Sequence, residues 1–175
     1  MKIAVFQTKL IWQKPEQNRV FIQEYIDSCE DSYDLLVLPE MFTSGFTMNP
    51  SLVAEEMNGK TVMWLKEIAV EREIAIIGSL VISENSKYYN RLVFVFPDGS
   101  IEYYDKRHLF SLAGEEKIYT KGKKKRIIEY KGWKICPLIC YDLRFPVFSR
   151  NKEDYDLLLY VANWPKPRIN AWNTL

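Results

Sequence analysis

The sequence predicts an α/β domain built from layered sheets and helices. Two observations predict it. Near the start of the chain, apolar runs with strand character alternate with segments of helical spacing, and several strands then follow one another. Runs such as 35–38 and 157–162 are apolar at every position, which suits strands buried on both faces.

The elements follow in order. Residues 2–6 are a short apolar run, expected as the first strand. Lys14, Pro15 and Glu16 make a turn with proline near a helix start. Phe21, Ile22, Tyr25, Ile26 and Cys29 recur at helical spacing, so 16–30 is expected as an amphipathic helix. Residues 35–38 return to strand. Val62, Leu65, Ile68 and Ala69 mark a second helix over 60–72. Residues 74–82 and 88–96 are rich in Ile, Val, Tyr and Phe and flank a polar stretch, the pattern of a strand pair. Pro97, Asp98 and Gly99 turn the chain, and 101–104 is the returning strand. Residues 106–123 have no period and are expected as a loop. Strands are expected near 126–130 and 133–139, around a turn at Lys131 and Gly132. A short helix within 143–152, a strand over 156–162 and a helix over 168–175 complete the reading.

Composition narrows the function classes. The chain has 175 residues, which suits a single domain over 1–175. Lys plus Arg is 24 and Asp plus Glu is 23, a net charge of +1, too balanced for a general nucleic-acid binder. The basic run 121–126 reads as a solvated loop. At 14% aromatic residues the chain is not disordered. No apolar stretch is long enough to span a bilayer, and the first residues do not have a signal-peptide pattern. Cys29, Cys136 and Cys140 are too few for a disulfide framework, so reduced thiols and a cytoplasmic setting are expected. With one histidine, His108, and no CxxC or HxxxH spacing, no metal site is expected.

Three apolar runs end abruptly in polar or reactive residues. Residues 35–38 run into Pro39 and Glu40, 135–139 into Cys140, Tyr141 and Asp142, and 157–162 into Asn163 and Trp164. Ligand sites gather at the carboxyl ends of strands, so three neighbouring strands would bring Glu40, Cys140 and Asn163 together. Cys140 is the candidate nucleophile, and Glu40, if desolvated, a candidate general base. A cation after the 101–104 strand would lower the thiol pKa and hold an oxyanion. Composition does not choose among Lys106, Arg107 and His108. A Cys140–His108 dyad is the rival arrangement, and Cys136, inside its apolar run, reads as inert.

Three segments in this order, LLVLPEMF (35–42), KRHLF (106–110) and LICYDLRFP (138–146), resemble the nitrilase, or carbon–nitrogen hydrolase, superfamily. Glu40, Lys106 and Cys140 fall on that family's Glu–Lys–Cys triad. Glu115 is the best match to its second active-site glutamate, with Glu116 the neighbouring alternative. Asn163, Trp164, Pro165, Arg168, Ala171 and Trp172 resemble the ω-amidase-like branch.

The resemblance implies a four-layer α-β-β-α sandwich, usually a homodimer, in a hydrolase that needs no cofactor. It implies hydrolysis of a small ω-amide, such as 2-oxoglutaramate, through a cysteine thioester. Nitrilase or carbamoylase chemistry, or a non-catalytic interaction protein, are the alternatives. Lys106 and the backbone N–H of Tyr141 would hold the oxyanion. Phe42, Phe46 and Trp164 are expected to line the pocket. Arg144 and Arg168 are candidate partners for a far carboxylate. Because family members continue past the match to Leu175, the chain is expected to be a C-terminally shortened form.

Overall fold

In a computed structural model, residues 1–174 form two stacked β-sheets with helices. The expected terminal helix is seen as α4 (Ile169–Thr174). Its last expected position, Leu175, lies outside the described residues.

The larger sheet has the order β1 (Ile3–Val5), β2 (Leu35–Val37), β3 (Ala75–Glu84), β4 (Lys87–Val95), β5 (Ile101–Asp105). The first three strands are parallel, and β4 and β5 add antiparallel. The smaller sheet has the order β6 (Ile128–Tyr130), β7 (Trp133–Ile139), β8 (Leu157–Val161), with β7 and β8 parallel.

Helix α1 (Pro15–Ser28) starts at its proline and buries Ile22 and Ile26, one turn apart. Helix α2 (Lys60–Arg72) buries Val62, Leu65, Ile68 and Ala69. Both stripes pack on one face of the larger sheet, against Leu36, Leu38, Ile76, Leu80, Val93 and Val95. The alternate residues Leu35, Val37, Ile77, Leu92 and Phe94 face the smaller sheet and meet Ile128, Ile135, Leu138, Ile139 and Val161. Period-two alternation therefore feeds two cores from one set of strands, which is why those runs are apolar throughout.

The strand pair differs in one respect from the expected one. The strands extend into the polar stretch between them: β3 and β4 pair through Glu84 and Lys87, leaving a two-residue turn. Asn85 and Ser86 both have positive φ, at 51° and 58°. Such turns match the twist of paired strands, and asparagine tolerates the left-handed conformation. The 106–123 segment carries two short 3-10 turns, Ser111–Ala113 and Glu115–Lys117. The expected helix within 143–152 is α3 (Pro146–Ser149), and a 3-10 turn over Cys140–Arg144 comes before it.

Candidate active site

The carboxyl ends of β2, β5, β7 and β8 meet at one end of the sandwich, and each is followed by a polar residue. Glu40 follows β2, Lys106 follows β5, Cys140 follows β7 and Asn163 follows β8. The strands are not neighbours in a single sheet, as the run-ends suggested. Instead β2 and β5 belong to the larger sheet and β7 and β8 to the smaller. The site is assembled across the sheet–sheet junction.

Glu40 and Glu115 are fully buried and Lys106 nearly so. The Lys106 ammonium donates to Glu40 Oε1 at 2.8 Å and to Glu115 Oε2 at 3.0 Å. Asn90 Nδ2, from β4, donates to Glu40 Oε1 at 2.9 Å and to Glu115 Oε1 at 3.4 Å. The backbone N–H of Asn163 donates to Glu40 Oε2 at 3.0 Å, and that of Phe110 to Glu115 Oε2 at 2.5 Å. A buried carboxylate keeps its charge only if such donors replace water.

Burial by itself would lower the Lys106 pKa, but Glu40 and Glu115 outweigh it and hold the pKa above that of an ordinary lysine. Burial pushes Glu115 up, opposed by Lys106 and reinforced by Glu40. The Cys140 thiol is also pushed up, first by burial and then by the Glu40 charge, and Lys106 offsets only part of this. The ammonium lowers the thiol pKa as expected, but burial and the carboxylates outweigh it. Two carboxylates flank the one ammonium, so the resting cysteine is a neutral thiol that needs a base.

Cys140 has φ +42°, a left-handed backbone conformation that costs a non-glycine residue about 1–3 kcal/mol. The turn is held by Asp142, which is fully buried. Its Oδ2 accepts from the backbone N–H of Ile139 at 3.0 Å and from the Tyr104 hydroxyl at 2.7 Å. Its Oδ1 accepts from the His108 backbone N–H at 2.9 Å and lies 2.8 Å from His108 Nδ1. One carboxylate thus ties the cysteine turn to the segment that carries Lys106. It also takes up the His108 ring, which stacks on Phe145 at 3.8 Å. His108 therefore faces Asp142 and does not line the cleft, which removes the geometric basis for a Cys140–His108 dyad.

A cleft of about 780 Å³ opens onto Cys140, with Glu40, Lys106, Tyr141, Asn163, Trp164 and Arg168 in its wall. Phe46 and Phe110 also line it, as does the N-terminal stretch Gln7, Thr8, Lys9, Leu10 and Trp12. Two expected pocket residues are elsewhere. Phe42 is wholly buried in the core between the larger sheet and its helices, where Gly78 leaves room for its ring. Its place at the end of the Glu40 turn points it into packing, not into the cleft. Arg144 is exposed, at the end of the cysteine turn, and does not line the cleft. Sequence reasoning missed Asn90, Tyr104 and Asp142. A polar Asn90 in the midst of an apolar strand was the available signal.

The carbon-nitrogen hydrolase family profile matches residues 2–174. The chain belongs to the carbon-nitrogen hydrolase family. It is 44% identical to an omega-amidase YafV of Yersinia enterocolitica, covering all of this chain and 68% of that protein. It is 33% identical to a 2-oxoglutaramate amidase of Bacillus subtilis, covering 99% of this chain and 69% of that protein. A crystal structure of a CN-hydrolase superfamily protein from Xanthomonas campestris, with an arsenic adduct in its active site, superposes with a TM-score of 0.94. That protein is 41% identical, over 99% of this chain and 68% of its own. Membership in this family agrees with the α/β two-sheet fold and with a carbon–nitrogen hydrolase.

Proposed function

We propose that this carbon-nitrogen hydrolase is an ω-amidase that converts a small ω-amide such as 2-oxoglutaramate to its carboxylic acid and ammonia. The observation that carries the reading is the buried Glu40–Lys106–Glu115 cluster beside Cys140 at a cleft large enough for such a molecule. The similarity to omega-amidase and 2-oxoglutaramate amidase relatives supports this choice of substrate.

In this mechanism Glu40 accepts the thiol proton as Cys140 Sγ attacks the amide carbonyl carbon. Negative charge then develops on the carbonyl oxygen. The Lys106 ammonium and the Tyr141 backbone N–H hold it, each such donor contributing about 2.7–4 kcal/mol in comparable sites. When the carbon–nitrogen bond breaks, Glu40 gives up its proton to the nitrogen, directly or by way of Glu115, and ammonia leaves. Water, giving its proton to Glu40, attacks the thioester. The carboxylic acid departs and the thiol is restored. The raised Glu115 carboxyl suits proton delivery, and the raised Cys140 explains why a base beside it is needed.

The setting we propose is the cytoplasm, in keeping with three unpaired thiols, and the working form a homodimer, as the family resemblance implies. Among the described residues no helix is long and apolar enough to cross a membrane.

Ammonia release from 2-oxoglutaramate and succinamate, by the parent chain and by Cys140→Ala, tests the reading. Release that disappears in the variant is the expected result. Equal release from both proteins, or none from folded parent chain, would overturn it.

A further inference from the structure

Asn90 lies on the face of β4 that carries Leu92 and Phe94, both part of the core between the two sheets. It is wholly buried. The strand is paired on both sides there. Asn90 stands opposite Val81 of β3, and its backbone carbonyl accepts from the Lys106 N–H at 3.0 Å. The backbone that carries the amide is thus bonded to the backbone that carries the buried ammonium.

The two ends of the Asn90 side chain are used unequally. Its Nδ2 donates to Glu40 Oε1 at 2.9 Å and, more weakly, to Glu115 Oε1 at 3.4 Å. Its Oδ1 is buried and accepts no hydrogen bond; among the described residues it is the only buried side-chain polar atom without a partner. An unpaired buried acceptor lowers stability, so an asparagine that served the fold alone would be expected to have both ends bonded. The two carboxylates set the orientation. Turned the other way, the amide would place its oxygen against two anionic oxygens.

The neutrality of this donor matters as much as its place. Glu40 faces Lys106 from β5, Glu115 from the following loop, Cys140 from the end of β7, and the ring of Tyr119. A second ammonium at position 90 would pair off the remaining negative charge and weaken Glu40 as a base. An amide fixes the carboxylates and adds no charge.

We infer that Asn90 is a positioning residue of the reaction, tying Glu40 and Glu115 to the N–H groups of one amide so that the base is held beside Cys140. Its place in the middle of a paired strand gives this hold a rigid support. The inference rests on the amidase reading for the reaction that Glu40 serves.

The test uses Asn90→Leu, which is close in shape and donates nothing, and Asn90→Asp, which puts an acceptor where the donor was. Per folded molecule, Asn90→Leu is expected to lower kcat for 2-oxoglutaramate about tenfold to a hundredfold, the worth of a hydrogen bond to a charged group. KM should stay within about threefold, because Asn90 does not line the cleft. A carboxylate that loses a donor holds its proton to higher pH. The acid limb of the kcat/KM profile should therefore move up by about one pH unit in Asn90→Leu and further in Asn90→Asp. A readout without turnover is the carboxylic-acid C=O band in infrared difference spectra on acidification, with Glu40→Gln identifying the Glu40 contribution. That band should appear at higher pH in Asn90→Leu than in the parent. If Asn90→Leu does not fold, Asn90→Thr, with a single shorter donor, gives the same readings with the same sign. An unchanged kcat per folded molecule, an acid limb that does not move, or equal infrared titrations in an active parent and its variant would overturn the inference. If the folded parent hydrolyses no amide while the infrared band still shifts in the variant, the amidase reading falls and the hold of Asn90 on the two carboxylates stands.

Discussion

Lys106 is the residue on which the buried charges balance. Among the described residues it is the only ammonium between two carboxylates that water does not reach. Replacing it with alanine leaves Glu40 and Glu115 facing each other with only amide donors. Breaking a buried pair in this way costs about 3–5 kcal/mol. Lys106→Ala is therefore expected to lower the urea midpoint and to abolish ammonia release from whatever fraction remains folded. His108→Ala should lose a bond to Asp142 yet retain measurable turnover, because its ring faces away from the cleft. The opposite pattern in a side-by-side assay would return the base to His108.

The residue scale also shows how legibility varies. Glu40, Lys106 and Cys140 were readable because each ends an apolar run or lies in a recognisable segment. Asp142 sits in the same segment as Cys140, yet its role depends on Tyr104 and His108, 38 and 34 positions away. No local pattern reports such a partner. Phe42, expected in the pocket, is only two residues from Glu40, but the positive φ of Met41, 46°, turns the chain between them.

At the scale of elements, the end of β5 must be kept in place so that Lys106 reaches its partners. Gly122 does this from the loop that follows. Its N–H donates to the Lys106 carbonyl at 2.8 Å. A Cβ there would stand 1.9 Å from the Asp105 carbonyl oxygen, so the two backbones touch only because residue 122 is glycine. Gly122→Ala is expected to cost about 1–3 kcal/mol, as overpacking does, and to reduce turnover by displacing Lys106. Denaturation and ammonia release, measured together, would show both losses; a fully active, fully stable variant would contradict this geometry. The same loop shows why 106–123 had no readable period. It is shaped by contacts such as Gly122 with β5 and Glu115 with Lys106, and not by a repeating apolar face.

The whole molecule carries a stability dependence on alkaline pH. Burial raises Cys136 to about 11 from its ordinary 9.0. Burial likewise raises Cys140, Tyr104 and Tyr119, while the neighbouring carboxylates raise Lys106. In every case the folded chain holds its proton more tightly than the unfolded chain does. Stability contributed by these groups is fully present at neutral pH and falls once the unfolded chain starts to lose protons, above about pH 9. The urea midpoint should be lower at about pH 10.5 than at about pH 7.5, and Cys136→Ala should reduce the difference. A midpoint that is constant or rises with pH would show that these groups are not protonated in the folded interior.

The sequence by itself determined the α/β class and nearly every strand and helix, and it offered Glu40 and Cys140 as site candidates, with Lys106 added by the family resemblance. Strand and helix periodicities are local, and the reactive residues lie where those periodicities stop. The tertiary structure decided the rest. It placed the strand ends on two different sheets, kept Cys140 protonated beside two carboxylates, turned His108 toward Asp142, and separated Arg168 in the cleft from Arg144 outside it. The physical reason is common to all four. Burial and charge pairing depend on which distant segments share a low-dielectric interior, and spacing along the chain does not carry that information.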